Sequence, residues 1–318
     1  MAAQTFRVGT RESILARLQT DMVVDSFKRK FPESKIEIVP ITSYGDKVQS
    51  KPIADLGTRG VFVKELERAL LDDEVDFVVH SLKDLPTDLP DQLALAAVLE
   101  RADARDVLVS KNGAKLAQLP PHAKVATSSR RRVAQLKAVR PDLEFVDMRG
   151  NIQTRLRKLD EGQCDAMVLA AAGLLRLELK ERISEFLAIA LSTPAAGQGA
   201  LAVECRSNDG ETLKMLRQIE DVVVRAQVDA ERALLDELGG GCSVPIGAFA
   251  STPAEGRLRL AACVASLDGV EVLRAEEEGD VGNPLALGKK VAANLREQGA
   301  EEILIALRQS TPNAISAP

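Results

Sequence analysis

Apolar and polar positions alternate along the first part of the chain in a pattern that predicts strands separated by helices. Residues 6–8, 36–39 and 75–79 are short, mainly apolar segments that predict strands, and 75–79 has the pattern of a buried strand. Residues 61–71 have the period of an amphipathic helix. A longer helical stripe follows the first strand and consists of Ile14, Leu15, Leu18, Met22 and Phe27. This βαβ rhythm predicts an open, largely parallel sheet.

The same rhythm is repeated further along the chain. Strands are predicted at 107–109, 124–126, 143–146 and 166–169, and helices follow the second and third of them. Residues 200–204 predict one more strand, which we expect to return to the sheet of the first unit. The sequence thus indicates two α/β units in succession.

The C-terminal part of the chain has a different pattern. A long helix is predicted over 221–238, followed by strands at 258–266 and 270–274 and by two closing helices. Asp268-Gly269 between these strands is a strong β-hairpin signal. We therefore expect a third unit of the α+β class with an antiparallel sheet.

Composition and charge narrow the class of protein. The chain has 318 residues, of which 45% are apolar, and a net charge of −5, which argues against general nucleic-acid binding. It has no apolar run of about 18 residues, and its N-terminus lacks the basic and apolar regions of a signal peptide. Four widely spaced cysteines without a CxxC pair, and two histidines, favour neither a zinc site nor a disulfide framework. We expect a cytoplasmic protein without a metal and without membrane or nucleic-acid partners.

Polar side chains follow several predicted strands, at the positions where open α/β sheets bind ligands. Lys83 and Asp84 follow 75–79, and Arg149 follows 143–146. A third cluster follows the strand at 124–126 and consists of Thr127, Ser128, Ser129, Arg130, Arg131 and Arg132. Hydroxyls and amides at a helix N-terminus bind anions, and the arginine fork holds carboxylate or phosphate through paired hydrogen bonds. The sequence therefore predicts an anion-binding site.

Alternatives stay open for individual members of these clusters. Each arginine alone is about as often a solvated surface residue as a ligand-binding one. Asp84 has two interpretations of about equal weight. It is either a structural residue, as a partner of Lys83 or a turn former ahead of Pro86, or a functional group that transfers protons or stabilises positive charge.

The loop Gly239–Gly247 places a single thiol, that of Cys242, in a glycine-flanked turn after the long predicted helix. Glycine permits positive φ and close approach of a ligand to the backbone, and Pro245 stops any further helix. A cysteine kept for packing more often lies inside an apolar helix or strand. Cys242 therefore has the features of a presented thiol.

Six segments resemble the porphobilinogen deaminases, also called hydroxymethylbilane synthases, and occur in the order of that family. The most specific are His80–Pro86 and Gly240–Gly247, which contains Cys242. The other four are Val8–Ser13, Phe62–Glu67, Thr127–Arg132 and Arg149–Asn151. The resemblance covers the chain from residue 6 to beyond 250 and is loose past about 260.

The resemblance implies a transferase of tetrapyrrole (porphyrin, haem) biosynthesis. Such enzymes join four porphobilinogen molecules head to tail on a covalently bound dipyrromethane primer, with release of ammonia, and water then releases hydroxymethylbilane. It also implies a monomer with two α/β domains that resemble periplasmic binding proteins and face each other across a cleft, followed by the α+β domain. We expect domain 1 at 1–100 with 198–219, domain 2 at 101–197 and domain 3 at 220–318.

The resemblance further implies roles for individual residues. Asp84 is the catalytic carboxylate, and Cys242 holds the dipyrromethane cofactor through a thioether. Residues expected to bind the cofactor are Lys83, Ser129, Arg131, Arg132, Ser13, Thr127, Ser128, Gln198 and Ser243. Residues expected to bind the substrate or the growing chain are Arg11, Gln19, Arg149, Arg155 and Arg176. Two positions depart from the family pattern, since an aliphatic residue is expected at Arg130 and a lysine at Arg59.

Two other classes of protein fit parts of this pattern. A solute-binding module would need the arginines but neither Asp84 nor a tethering Cys242. A thiol hydrolase would need a histidine partner for Cys242, and neither His80 nor His122 lies in a hydrolase motif. We therefore interpret Cys242 as a permanent attachment point and assign the chemistry to Asp84 and the arginines.

Overall fold

The structure is a computed structural model that describes residues 5–43, 63–240 and 244–309. These residues form two compact units. The first contains 5–43, 63–102 and 199–225, and the second contains 103–198, 226–240 and 244–309.

The strands alternate with helices over most of the chain, as the sequence pattern predicts. In chain order the strands are β1 (Thr5–Arg11), β2 (Lys35–Ile41), β3 (Phe77–Ser81), β4 (Leu93–Val98), β5 (Asp106–Ser110), β6 (Lys124–Ala126), β7 (Glu144–Val146), β8 (Ala166–Ala170), β9 (Glu185–Phe186), β10 (Leu201–Arg206), β11 (Ile246–Ala254), β12 (Arg257–Ala265) and β13 (Val272–Asp280). The helices are α1 (Ile14–Lys30), α2 (Lys64–Leu71), α3 (Arg130–Lys137), α4 (Ile152–Asp160), α5 (Ala171–Arg176), α6 (Gly210–Leu216), α7 (Val222–Glu237), α8 (Pro284–Glu297) and α9 (Ala300–Gln309).

The sheet of the first unit combines parallel and antiparallel strands. Its order is β2-β1-β3-β10-β4, with β1 parallel to β2 and β3, and with β10 antiparallel to β3 and β4. Phe27 of α1 packs on Phe6 and Phe77 of the sheet, with ring centroids 5.2 and 5.7 Å away. β10 joins this sheet, which confirms the expected return of residues 200–204 to the first unit.

The second unit contains two sheets, and the first of them along the chain repeats this arrangement. Its order is β7-β6-β8-β5-β9, with β6 parallel to β7 and β8, and with β5 antiparallel to β8 and β9. The expectation of largely parallel sheets is therefore wrong on one side of each sheet. The direction of these strands was not readable because a short apolar run has the same pattern in any strand that is buried on both faces.

Helix α1 buries only part of the apolar stripe that the sequence predicts, since Phe27 is buried but Ile14 and Met22 are not. Ile14 is 61% exposed and Met22 is 42% exposed. The buried positions are Ala16, Gln19, Thr20, Val23, Val24 and Phe27. Polar side chains lie on this face because they have hydrogen-bond partners, and Thr20 Oγ1, for example, donates to Thr10 Oγ1 over 2.7 Å. A stripe drawn through apolar residues alone misses such a face.

The C-terminal part of the second unit is an antiparallel sheet covered by helices, as predicted. Its strand order is β11-β12-β13, and Gly269 in the turn after β12 has φ +77°. Helices α7, α8 and α9 bury apolar side chains such as Leu234, Val291 and Leu304 against the sheet. Strand β11, which begins directly after Pro245, has no counterpart among the predicted strands.

Strand β11 also packs closely on the segment that precedes residue 198. Ala248 N donates to Pro194 O over 2.8 Å, and a Cβ on Gly247 would lie 2.6 Å from Thr193 O. Residues 103–198 and 226–309 accordingly fall, where described, in one compact unit. The division of the chain into three domains stays a prediction. Within the described ranges, no helix combines the length and apolar character needed to cross a membrane.

Candidate functional site

A polar turn joins β6 to α3 in the second unit. The turn is held by three contacts: Thr127 N donates to Val146 O over 2.9 Å, Ser128 Oγ to Met148 O over 3.1 Å, and Ser129 N to Thr127 Oγ1 over 3.3 Å. Ser129 occupies the N-cap position of α3, and its side chain makes no capping hydrogen bond in this part of the described chain. The start of α3 therefore offers a hydroxyl and a positive helix end to an anionic ligand.

Two arginines on the first turn of α3 share one buried carboxylate. Arg131 Nη1 lies 2.7 Å from Asp106 Oδ2, and Arg132 Nη2 lies 2.7 Å from Asp106 Oδ1. Asp106 is fully buried at the start of β5, and Arg131 and Arg132 are 5% and 7% exposed. Burial alone would raise the pKa of Asp106, but the charges and hydrogen bonds of both arginines outweigh it and hold this pKa far below its usual range. The carboxylate is therefore ionised at neutral pH.

Two further side chains complete this cluster. Gln198 Nε2 donates to Asp106 Oδ1 over 2.9 Å and to Ala104 O over 2.7 Å. Ser192 Oγ donates to Asp106 Oδ2 over 2.7 Å. The structure thus brings Arg131, Arg132 and Gln198, all predicted from the sequence, around a residue that the sequence analysis did not select.

Positive charge accumulates near this cluster. Burial and the charges of Arg132 and Arg149 together lower the pKa of Arg155 to about 10, while the charge of Asp147 opposes the shift. Arg155 Nε donates to Gly150 O over 2.8 Å, which fixes the side chain at the start of α4. Because these cations repel one another, an anion bound near them would be stabilised.

Arg176 and Arg149 occupy the ends of other elements of the second unit. Arg176 is the last residue of α5, and burial lowers its pKa to about 10. Arg149 precedes the N-cap residue Asn151 of α4, and its carbonyl accepts a hydrogen bond from Lys158 Nζ over 3.1 Å. Both side chains are half-buried. The charges of Arg149 and Arg132 act on Arg155, whereas Arg176 lies at the end of a different helix.

The predicted residues of the first unit lie at the carboxyl ends of β1 and β3. These strands are parallel neighbours, with Gly9 opposite Val78, so residues that follow them share one edge of the sheet. Arg11 ends β1, and Ser13 caps α1 by accepting from Ala16 N over 3.3 Å. Lys83 and Asp84 lie in a 3-10 turn that directly follows β3. The fold therefore places Arg11, Ser13, Lys83 and Asp84 along one edge.

The turn that carries Lys83 and Asp84 is anchored on both sides. Leu82 and Leu85 are buried, 1% and 4% exposed, while Lys83 and Asp84 between them are half-buried. Gln19, which is buried on α1, donates through Nε2 to Ser81 Oγ over 2.9 Å. Gln19 is thus a support of the turn in this structure, and its predicted contact with substrate stays a prediction.

A second buried pair that the sequence analysis missed lies behind this turn. His80 Nε2 is 3.0 Å from Glu204 Oε2, which joins β3 to β10 through their side chains. The sequence signal for Glu204, and likewise for Asp106, was a carboxylate beside or within an apolar strand. Such a residue is rarely buried without a partner.

The thiol expected to hold the cofactor lies outside the described residues, together with Gly241 and Ser243. The structure describes Gly239 and Gly240 before this segment and Val244 after it, and Gly239 has φ +60°. The other cysteines, Cys164, Cys205 and Cys263, are buried. Burial raises the pKa of their thiols to about 11, 12 and 11, respectively. They are therefore unsuited to attack an electrophile, since the thiolate is the nucleophile.

The two departures from the family pattern have different outcomes. Arg130 is the first residue of α3 and is half-buried, so its side chain does not enter the core where an aliphatic residue would pack. Arg59 lies outside the described residues. Among the described residues, no group of three or more His, Cys, Asp or Glu is arranged to hold a metal ion.

Comparison with known proteins gives this site its context. Residues 6–214 match the family described as porphobilinogen deaminase, dipyromethane cofactor binding domain, and residues 226–297 match the porphobilinogen deaminase C-terminal domain. The porphobilinogen deaminase of Desulforudis audaxviator is 50% identical over 95% of this chain and 97% of its own length. That of Brevibacillus brevis is 48% identical over 94% of this chain and 96% of its own length.

These matches define an enzyme, a transferase with a dipyrromethane cofactor. The chain belongs to the porphobilinogen deaminase family, which confirms the interpretation of its sequence. The methionine-binding protein MetQ also aligns with 68% of the chain and 89% of its own length, at 15% identity and a TM-score of 0.44. That likeness bears on neither substrate nor activity.

The residues of the second unit fit the cofactor of this family. Each pyrrole ring of a dipyrromethane carries an acetate and a propionate, so the group is strongly anionic. The charges of Arg132 and Arg149 lower the pKa of Arg155, and Arg131 lies next to Arg132 on α3, so several guanidinium groups gather here. Forked cations beside a helix N-terminus are a donor set that binds carboxylates well.

Proposed function

We propose that this enzyme condenses four porphobilinogen molecules head to tail into hydroxymethylbilane, with the predicted residues of both units as its binding and catalytic groups. The observation that carries the assignment of residues is the group of buried and half-buried guanidinium groups around α3 and α4. The growing chain gains two carboxylates with every ring added, so it needs a cationic surface of this kind. Electrostatic attraction to it also raises the rate of substrate encounter.

Each addition exchanges one bond for another. The C–N bond of the aminomethyl group breaks and ammonia leaves, a C–C bond forms at the free α-carbon of the preceding ring, and that carbon loses its proton. Departure of ammonia leaves a cationic azafulvene of the substrate. We assign its stabilisation to the Asp84 carboxylate, which is half-buried in a turn held by Leu82 and Leu85. A fixed carboxylate beside a developing cation lowers the barrier without reorganising at the moment of reaction.

The dipyrromethane, when bound, supplies the free α-carbon that receives the first porphobilinogen. We assign its thioether to Cys242 and its carboxylates to Lys83, Arg131, Arg132 and the hydroxyls of the turn before α3. Ser13, Gln198 and Ser243 belong to the same proposed set. Arg11, Gln19, Arg149, Arg155 and Arg176 are proposed to hold the incoming ring and the growing chain.

The proposal also covers the oligomeric state, the location and the domain organisation of the enzyme. We propose that it acts as a monomer in the cytoplasm on free porphobilinogen, and that its chain is organised as domains 1–100 with 198–219, 101–197 and 220–318. The charge of −5 argues against a nucleic-acid partner, and the family supports porphobilinogen as the substrate.

The assignment of Asp84 is tested by the substitution Asp84→Asn, with Asp91→Asn as the matched control because Asp91 is exposed seven residues further on. Asp84→Asn should fold normally and retain the cofactor, yet release ammonia from porphobilinogen about 100-fold more slowly or worse. Asp91→Asn should have wild-type turnover. Near-normal turnover of a folded Asp84→Asn enzyme would refute the role.

A further inference from the structure

The buried carboxylate of Asp106 accepts hydrogen bonds from four different side chains. Oδ1 accepts from Arg131 Nη2 at 3.3 Å, from Arg132 Nε and Nη2 at 3.0 and 2.7 Å, and from Gln198 Nε2 at 2.9 Å. Oδ2 accepts from Arg131 Nη1 and from Ser192 Oγ, both at 2.7 Å. The six bonds use both oxygens, and three of the four donors are residues around the proposed cofactor site.

We propose that Asp106 is a positioning residue for cofactor loading, which orients Arg131, Arg132 and Gln198 before the dipyrromethane is attached. Asp106 itself does not reach the ligand, because it is fully buried and both of its oxygens are engaged within the protein. The inference rests on the proposed function in one respect, the assignment of Arg131 and Arg132 to the cofactor carboxylates.

The charge balance supports this role. Arg131 and Arg132 are adjacent in sequence, buried, and bonded to the same carboxylate. Burial lowers the pKa of Arg132, and the charge of Arg131 lowers it further, while Asp106 raises it. Without the carboxylate, two guanidinium groups would face each other inside the protein, and they would move apart or draw in water. With it, the pair keeps one net positive charge in a fixed place.

The hydrogen bonds leave donors for a ligand. The two guanidinium groups have five N–H groups each. Within the described residues they make six hydrogen bonds, four to Asp106 and one each to Thr193 O and Val168 O. Four N–H groups thus remain in positions set by the other six. Paired N–H groups bind carboxylates strongly only when their direction is fixed.

The first unit supplies a matched control. Asp76 also joins two arginines, with Arg7 Nη2 at 2.7 Å and Arg206 Nη2 at 3.4 Å, but none of these three residues belongs to the proposed site. Asp106→Asn and Asp76→Asn therefore remove similar interactions, and only the first touches cofactor-binding residues.

The experiment measures cofactor loading rather than activity alone. Wild type, Asp106→Asn, Asp106→Glu and Asp76→Asn are purified from the same host, and intact mass gives the fraction of chains that carry two linked pyrroles. Circular dichroism and thermal melting give the folded fraction. Each unloaded protein is then incubated with increasing porphobilinogen.

Asp106→Asn should be folded, should lose loading by about tenfold or more, and should recover it only at raised porphobilinogen, because misplaced donors weaken binding and leave Cys242 intact. Asp106→Glu keeps the charge but displaces it by one methylene, and should also load poorly. Asp76→Asn should load like wild type. Folded Asp106 variants that load like wild type would overturn the inference, and so would losses of loading that only follow losses of folded protein. A wild type without the added mass would instead refute the proposed function.

Discussion

The His80 imidazole and the Glu204 carboxylate lie 3.0 Å apart inside the first unit, with His80 5% exposed and Glu204 fully buried. Among the described residues, Glu204 Oε1 has no hydrogen-bond partner, so the contact with His80 is the carboxyl group's principal support. Burial raises the pKa of the nearby Glu67, and the charge of Glu204 raises it further. The pair therefore lies in a poorly solvated region directly before the turn that carries Lys83 and Asp84.

Replacing His80 by leucine should destabilise the protein by about 2–4 kcal/mol, because it leaves a buried carboxyl group without its partner. Glu204→Gln keeps a hydrogen-bonding group at the same place and should cost about 1 kcal/mol. Urea denaturation of the three proteins at neutral pH measures both values. An unfolding free energy of His80→Leu within about 0.5 kcal/mol of wild type would contradict this account.

Thiol labelling should distinguish Cys242 from the other cysteines. Because Cys164, Cys205 and Cys263 are buried and their pKa values are raised to about 11, 12 and 11, they should resist iodoacetamide at pH 8 in the folded protein. Unloaded folded protein should take up one label at Cys242, and loaded protein should take up none. Denatured protein should label at four and three cysteines, respectively. Rapid labelling of Cys205 in the folded state would contradict the structure.

The Asp106 cluster should make the free energy of unfolding depend on pH in a defined direction. The folded-state pKa of Asp106 is lowered. The stabilisation of the folded state by its ionised carboxylate is therefore complete above the unfolded-state pKa of about 4 and is lost as the pH falls below that value. The difference in unfolding free energy between wild type and Asp106→Asn should be constant above about pH 5 and should shrink below about pH 4. Chemical denaturation from pH 3 to pH 7 measures it. A difference that grows on acidification would contradict the assigned ion pairs.

Close packing of β11 predicts a strong effect of a single methyl group. A Cβ on Gly247 would lie 2.6 Å from Thr193 O, the carbonyl that accepts hydrogen bonds from Arg131 Nη1 and Gln135 Nε2. Gly247→Ala should therefore destabilise the protein by about 1–3 kcal/mol. Gly256→Ala is the control for open space, since nothing lies within 4 Å of a Cβ there, although its φ of +71° adds strain of about 1 kcal/mol. Equal losses in the two variants would show that packing at Gly247 is not tight.

Most elements of this fold were predictable from the sequence, because strand-length apolar runs and helical stripes recur in order. Strand direction was not predictable, and neither was the buried face of α1, where Gln19 and Thr20 replace apolar residues. The segments that carry Asp84 and Cys242 were recognisable because turns and glycines concentrate there. Asp106 and Glu204 were missed because their partners lie up to 92 and 124 residues away in sequence, and only the fold brings them together.

A covalent dipyrromethane at Cys242 is the central claim, and the intact mass of the purified protein tests it most directly. Wild type should exceed its sequence mass by two linked pyrrole units, and Cys242→Ser should have its plain sequence mass. Cys263→Ser, a buried cysteine outside the proposed site, should keep the added mass. A wild type at plain sequence mass that does not consume porphobilinogen, or a Cys242→Ser protein that retains the added mass, would contradict the central claim.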